Sequence, residues 1–323
     1  VITLSTQSIG ERPGYERDLL AQLALRWGKR VAVKKDEPDL DGHFDAGLPD
    51  FPERLVPVLA LDGAEKLDRD ARERILAAAW ISYNAKTAAI EDEVILPACR
   101  LMLTDRVPVR GDDIATAALH QTIIDEHYHI LMCHNAVGVT RRRRDITDLE
   151  FDPQVWSVVR GLNEARQGIS GFELDLVEIA FSLAAETTIS GFLSALATAG
   201  DIQPMNRITT DLHRKDESGH AVVFRELCGS LYRSLDSQQQ QLFRDALVQG
   251  LTAFRAADFD PWVDVAAAGG FVIGPDDLAA WARSRPVPAR DTGPLQLLLD
   301  DLGISHDLVE MTQPRKPHHV HTD

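Results

Sequence analysis

Residues 211–220 read DLHRKDESGH, and residues 125–129 read DEHYH. Each stretch contains Glu-x-x-His: Glu126 with His129, and Glu217 with His220. Residues three apart on an α-helix share a face, so each pair can aim one carboxylate and one imidazole at the same metal ion. A dinuclear carboxylate bundle needs two such pairs on two helices, and one further Glu from each of two others. The chain supplies acids in that order. Glu186 lies between the two pairs, and Glu91, with Glu93 two residues on, lies ahead of the first.

Glu186 is the most telling of these acids. Residues 170–199 read as one helix that is apolar almost all round, through Phe172, Leu176, Ile179, Leu183, Ile189 and Leu196. Such a helix belongs at the centre of a bundle. An unpaired ionised carboxylate there is very costly, so Glu186 must be neutral, paired or bound to a cation. Four glutamates would balance two ferrous ions, and a carboxylate and imidazole donor set suits iron or manganese. His213 stands four residues before Glu217 and shares its helical face, adding a third imidazole. Asp125 and Asp216 each precede the Glu of a pair. They read equally as acceptors for a ligand imidazole of the neighbouring helix and as ordinary solvated acids. His120 and His127 read as outer or surface groups.

Working outward, the chain is all-α, with no sustained strand alternation. Helical character covers 15–33, then 65–103 with Pro97 as a kink or boundary. It resumes from an N-cap at Gly111-Asp112-Asp113 to Val137. Further helices are read over 170–199, closed by Gly200-Asp201, then 204–233 and 237–259, with short ones at 275–283 and 293–300. Residues 34–57, rich in Pro, Asp and Gly, read as a long loop laid over something larger. The whole chain, 1–323, is read as a single domain. Its metal-binding core spans about 65–233, between an N-terminal extension (1–64) and C-terminal helices with a tail (234–323). The final PRKPHHVHTD reads as a disordered tail.

Composition narrows the function. With 44% hydrophobic and 26% charged residues, the 323-residue chain has the balance of a soluble globular protein. Glu186, Thr187, Thr188 and Ser190 interrupt its longest apolar run, so no membrane span is expected. The opening VITLSTQSIG lacks the pattern of a secretory signal, and the missing Met points to a few absent residues ahead of Val1. A net charge of −16 argues against a nucleic-acid partner, and Arg141–Arg144 reads as a solvated loop. Cys99, Cys133 and Cys228 form no CxxC pair, which suits a reducing cytoplasm. There is no GxGxxG or GxxxxGK[ST] loop.

Glu91, the DEHYH run, Glu186 and the HRKDESGH run together resemble the nonheme di-iron arylamine N-oxygenase family. The intervals from Glu91 through Glu126, His129, Glu186, His213 and Glu217 to His220 are 35, 3, 57, 27, 4 and 3 residues. They are similar to the family's spacing throughout, which selects Glu91 over Glu93. The likeness is close over 80–225 and loose elsewhere. It implies a ferritin-like (ribonucleotide-reductase-like) bundle with flanking helices, a homodimer, and seven ligands to two iron ions: Glu91, Glu126, His129, Glu186, His213, Glu217 and His220. His213 would be the family's distinguishing ligand. The resemblance further implies N-oxygenation of an aromatic amine by O2 through a peroxo-type oxidant. The amine would pass through hydroxylamine and nitroso stages to a nitro product, in the setting of antibiotic biosynthesis. No flavin or nicotinamide motif is present, so electrons would come from a separate reductase or a small reductant. Tyr83 is a candidate for the substrate cavity, and Arg290 or Arg285 for a substrate carboxylate. The rival readings are a carbon-directed di-iron oxygenase or desaturase, a non-enzymatic iron-binding ferritin relative, and a metal-free helical protein. His213 weighs against the first of these and Glu186 against the last.

Overall fold

In the computed structural model, residues 14–31, 35, 37–109, 113–284, 298–300, 302 and 304 are described, and no strand occurs among them. Helix α1 spans Gly14–Arg30. Three short 3₁₀ turns follow: Glu53–Leu55 lies within the expected loop, while Pro57–Ala60 and Ala64–Lys66 extend it to the start of the next helix, four residues later than the expected start at 65. Helix α2, Arg69–Ile90, begins where the Asp68 side chain accepts the Ala71 N–H at 2.8 Å, an ordinary N-cap. It runs into a π turn, Glu91–Ile95, and then α3, Leu96–Met102. Pro97 sets this boundary. It has no N–H to donate and its ring crowds the carbonyl four residues back, and the wider turn just ahead accommodates both.

Helix α4, Asp113–Arg144, runs a full two turns past its expected end at Val137. The four arginines are therefore its last turn, and the solvated-loop reading is corrected. Cations are favoured at a helix C-terminus, and Asp145 in a left-handed conformation (φ 52°) ends the helix. Arg144 is largely buried, pairing with Asp50 at 2.8 Å and donating to Leu48 O at 2.6 Å. Arg143 pairs with Asp41 and Arg141 with Glu150. These arginines, with Gln203 and Asn206, pin residues 41–50 to the bundle: Gln203 Nε2 donates to Leu48 O, and Asn206 Nδ2 to Asp50 O. The expected cap at Gly111-Asp112 lies outside the described residues.

After α5, Ser157–Ala165, the apolar stretch 170–199 is two helices rather than one: α6, Phe172–Thr188, and α7, Ser190–Ala197. The reason is local. Thr187 Oγ1 donates to Leu183 O and Thr188 Oγ1 to Ala184 O, both at 2.7 Å, and such back-bonding bends helices. By length and composition Phe172–Ala197 could cross a membrane, which corrects the expectation that no run could. Most of that stretch is buried against protein instead, α6 and α7 both packing on the helices that follow. At Gly250 a Cβ would sit only 3.0 Å from Ala184 Cβ, so its absence lets α6 and the helix beyond approach closely.

Helices α8, Pro204–Ser234, and α9, Ser237–Arg255, follow their expected positions, α9 stopping four residues early. Two further helices, α10 (Asp260–Ala268) and α11 (Pro275–Arg283), complete the described fold. Of the expected helix at 293–300, residues 298–300 are helical and the rest lies outside the described residues. The tail lies outside them too. Helices α2, α4, α6 and α8 form a ferritin-like core with the acids and histidines inside it, and α1 packs across α4 and α8.

Candidate metal centre

Each of the four core helices brings one part of the cluster. Glu91 opens the π turn, where Leu96 N–H bonds to Glu91 O five residues back. It is fully buried, whereas Asp92 and Glu93 line a separate groove between α2 and α4. Glu126 and His129 project from α4, Glu186 from α6, and His213, Glu217 and His220 from α8; all six are buried.

Two overlapping sets of ligand atoms converge. Glu91, His129, His213 and Glu217 form one, and Glu126, His129, Glu217 and His220 the other. Glu217 Oε1 sits at their junction, 3.1 Å from His213 Nε2, 3.3 Å from His220 Nδ1 and 3.5 Å from His129 Nδ1. His213 Nε2 also lies 3.0 Å from Glu91 Oε1, and His220 Nδ1 lies 2.8 Å from Glu126 Oε1. The third imidazole packs against the first, the His129 and His213 ring centroids being 4.1 Å apart. Glu186 belongs to neither set, but it feels the charges of Glu217, Glu126 and His220.

The electrostatics are those of a crowded acid cluster in low dielectric. Burial lifts Glu91 to about 6, with His213 holding it from going higher. Burial, joined by the charges of Glu217 and Glu126, lifts Glu186 well above the ordinary carboxylate range. Burial also pushes Glu217 upward, but His220 and His213 outweigh it and hold that carboxyl well below its usual value. Burial disfavours imidazolium at His129 and His220, yet their carboxylate neighbours raise both well above the ordinary histidine value. Glu91 Oε2 and both oxygens of Glu186 are buried without a hydrogen-bond partner among the described residues. Buried acceptors in that condition call for a cation or a proton. Six carboxylate and imidazole groups converging on two positions, with a seventh beside them, fit a pair of hard-to-borderline divalent ions such as iron.

The two aspartates resolve to the first of their two readings. Asp216 Oδ2 lies 3.2 Å from His129 Nε2, and Asp125 Oδ2 lies 3.4 Å from His220 Nε2. Each therefore crosses to the histidine of the other helix. An imidazole that gives its Nε2 proton to an aspartate presents the Nδ1 lone pair, and in both rings Nδ1 faces the glutamates. Asp125 is itself held by Trp27 of α1, whose Nε1 donates at 2.6 Å. Sequence reasoning missed Trp27, because one Trp in a flanking helix has no spacing that points to a partner 98 residues away.

A cavity of about 300 Å³ lies near the cluster: none of the seven acids and histidines lines it, but Tyr83 in its wall feels the charges of Glu91 and Glu217. Ile90 and Ile189 are among its lining residues, one residue before Glu91 and three after Glu186. Six aromatic residues line it: Phe51, Tyr83, Trp156, Phe192, Phe254 and Trp262. Tyr83 is thus a lining residue, stacked on Trp80 at 5.5 Å, with its phenol pushed well up by burial. Lys86 and Asp258 form an ion pair in the lining at 2.6 Å, and Asp258 also accepts the Ser157 N–H. Neither had been singled out from sequence. Arg290 and Arg285 lie outside the described residues. The three cysteines are buried and free.

A family model described as p-aminobenzoate N-oxygenase AurF matches residues 14–291. The 4-aminobenzoate N-oxygenase of Streptomyces thioluteus is 28% identical to this chain over 313 residues, covering 95% of this chain and 92% of that protein.

Proposed function

The chain belongs to the p-aminobenzoate N-oxygenase AurF family, and from that premise we propose that it uses O2 to oxygenate the nitrogen of an aromatic amine at a pair of iron ions. The observation that carries this reading is the convergence of two buried ligand sets that share His129 and Glu217, near a cavity with six aromatic residues in its lining. Glu91, Glu126, His129, Glu186, His213, Glu217 and His220 would hold the metals. Iron bound there supplies the activation of O2 that organic side chains cannot.

The protein's own groups do the positioning. Asp125 and Asp216 fix which imidazole nitrogen faces inward. The apolar walls excluding water would seat an aryl ring edge-on or offset against Tyr83, Phe192 and Trp156, with the amino group at the Ile90–Ile189 end. At the Lys86–Asp258 pair, a polar ring substituent would compete with Asp258 for the ammonium. The first oxygenation, amine to hydroxylamine, consumes O2, two electrons and two protons and releases one water. Further rounds would pass through the nitroso to the nitro compound, with electrons from a separate reductase or a small reductant. We include in the proposal a homodimeric assembly, as the family resemblance implies.

The test is anaerobic loading with ferrous iron, iron analysis, then O2 with a panel of aryl amines. Two irons per chain and successive hydroxylamine, nitroso and nitro products are expected. A protein that takes up no iron ends the reading. Hydroxylation of a hydrocarbon with every amine returned unchanged replaces it by the carbon-directed class.

A further inference from the structure

Helix α1 stands outside the four-helix core, yet it reaches the cluster. Trp27 is only 2% exposed, and Leu20 and Leu23 are buried with it where α1 crosses α4 and α8. An indole has one N–H to give, and Trp27 gives it to Asp125 Oδ2. That same oxygen faces His220 Nε2 at 3.4 Å, while Asp125 Oδ1 has no hydrogen-bond partner among the described residues. The indole N–H therefore fixes the orientation of the Asp125 carboxylate, with the oxygen it binds turned toward the imidazole. The indole also lies nearly parallel to the His220 ring, with centroids 5.8 Å apart and planes at 19°. His220 is thus gripped on its edge and on its face by residues oriented from α1, and its Nδ1 is left pointing at Glu126 and Glu217.

We propose that α1 is a working part of the metal site: Trp27 is a positioning residue that, through Asp125, sets the orientation of His220, so that docking of α1 and cation binding by Glu126, Glu217 and His220 reinforce one another. The proposal rests on the metal-site reading above. Its logic is linkage. If a docked α1 raises the affinity of that group for a cation, the cation must stabilise docking of α1 by the same factor. Outer partners of ligand imidazoles commonly change metal affinity by about 10- to 100-fold.

Trp27→Phe keeps an aromatic ring at the position and removes the N–H donor together with part of the indole. The metal-free protein and this variant are titrated anaerobically with Co²⁺, followed optically. Amide exchange over α1 is measured with and without the metal. In the unaltered protein Co²⁺ should slow exchange across α1. In Trp27→Phe one of two Co²⁺ equivalents should weaken by about 10- to 100-fold, the other should hold, and the metal-dependent protection of α1 should disappear. Asp125→Ala should weaken the same equivalent, and adding Trp27→Phe to it should cost little more. If Trp27→Phe binds both equivalents as before and only melts at lower temperature, the indole merely packs and the proposal falls. If the unaltered protein binds no Co²⁺ and no Fe²⁺, the metal-site reading itself has failed.

Discussion

Helices α4 and α8 carry the same five-residue phrase, Asp-Glu-x-x-His, and hold it in different surroundings. In both, the Glu and His face the cluster and the Asp reaches across to the other helix's histidine. Four residues before the Glu, α8 has His213 while α4 has the buried Thr122. The α4 aspartate is held by an indole from α1. The comparison teaches that a near-symmetric pair of ligand motifs becomes two unequal half-sites through one inserted imidazole and one outside helix. Glu217 and His129 belong to both ligand sets, one from each helix, whereas Glu126 belongs to one.

Glu217→Ala should do the most damage. Its oxygen is shared by both ligand sets, so metal content should fall from two equivalents toward none and N-oxygenation should vanish. A variant that retains two tightly bound metals would mean that Glu217 and Glu126 are interchangeable. Next is His213→Thr, which gives α8 the residue that α4 has. It should weaken one equivalent by more than the roughly 10- to 100-fold typical of an outer partner, and leave the other in place. Equal loss of both equivalents by metal titration would erase the distinction between the arms. Asp216→Asn should act more gently, within about 10- to 100-fold, through the orientation of His129.

The smallest expected effect is graded with pH. Bound metal requires neutral imidazoles, and carboxylate neighbours raise His129 and His220 well above the ordinary value, His213 less so. Metal binding near pH 7 should therefore release protons, and affinity should rise with pH. Calorimetry in buffers of different ionisation enthalpy reads this directly. The metal-free fold should show the opposite trend. A histidine whose folded pKa is raised contributes stability below its unfolded value, about 6.5, and that contribution fades as pH climbs through the folded value. A flat proton count across pH 6–9 would contradict the pairing of these rings with Glu126 and Glu217.

Much of this site could be read from the sequence because ligand spacing is helical and local. Glu126 with His129, and His213 with Glu217 and His220, needed only a 3.6-residue period. Glu186 needed only an apolar helix around it. What could not be read involves either a broken period or a distant partner. Glu91 and Glu93 could not be separated by spacing, because the π turn beginning at Glu91 shifts the register there. The arginine run resembled a loop because its acids, Asp41 and Asp50, lie 102 and 94 residues away. Trp27 and the Lys86–Asp258 pair likewise have no local signature. The break at Ile189 depends on which carbonyls two threonine hydroxyls choose, and hydrophobicity is blind to that.

The π turn has one more consequence, for how this helix could be altered by insertion or deletion. It spends one residue more than an α turn would, so the two ends of α2–α3 are out of phase by about 100° relative to an unbroken helix. Upstream of it, Tyr83, Lys86 and Ile90 face the cavity; downstream, Leu96, Cys99 and Met102 face the core. Deleting one residue between Asp92 and Ile95 would make the segment an ordinary helix. It would also rotate one of those faces out of place, so the extra residue lets a single length of chain serve the cavity side and the core side at once.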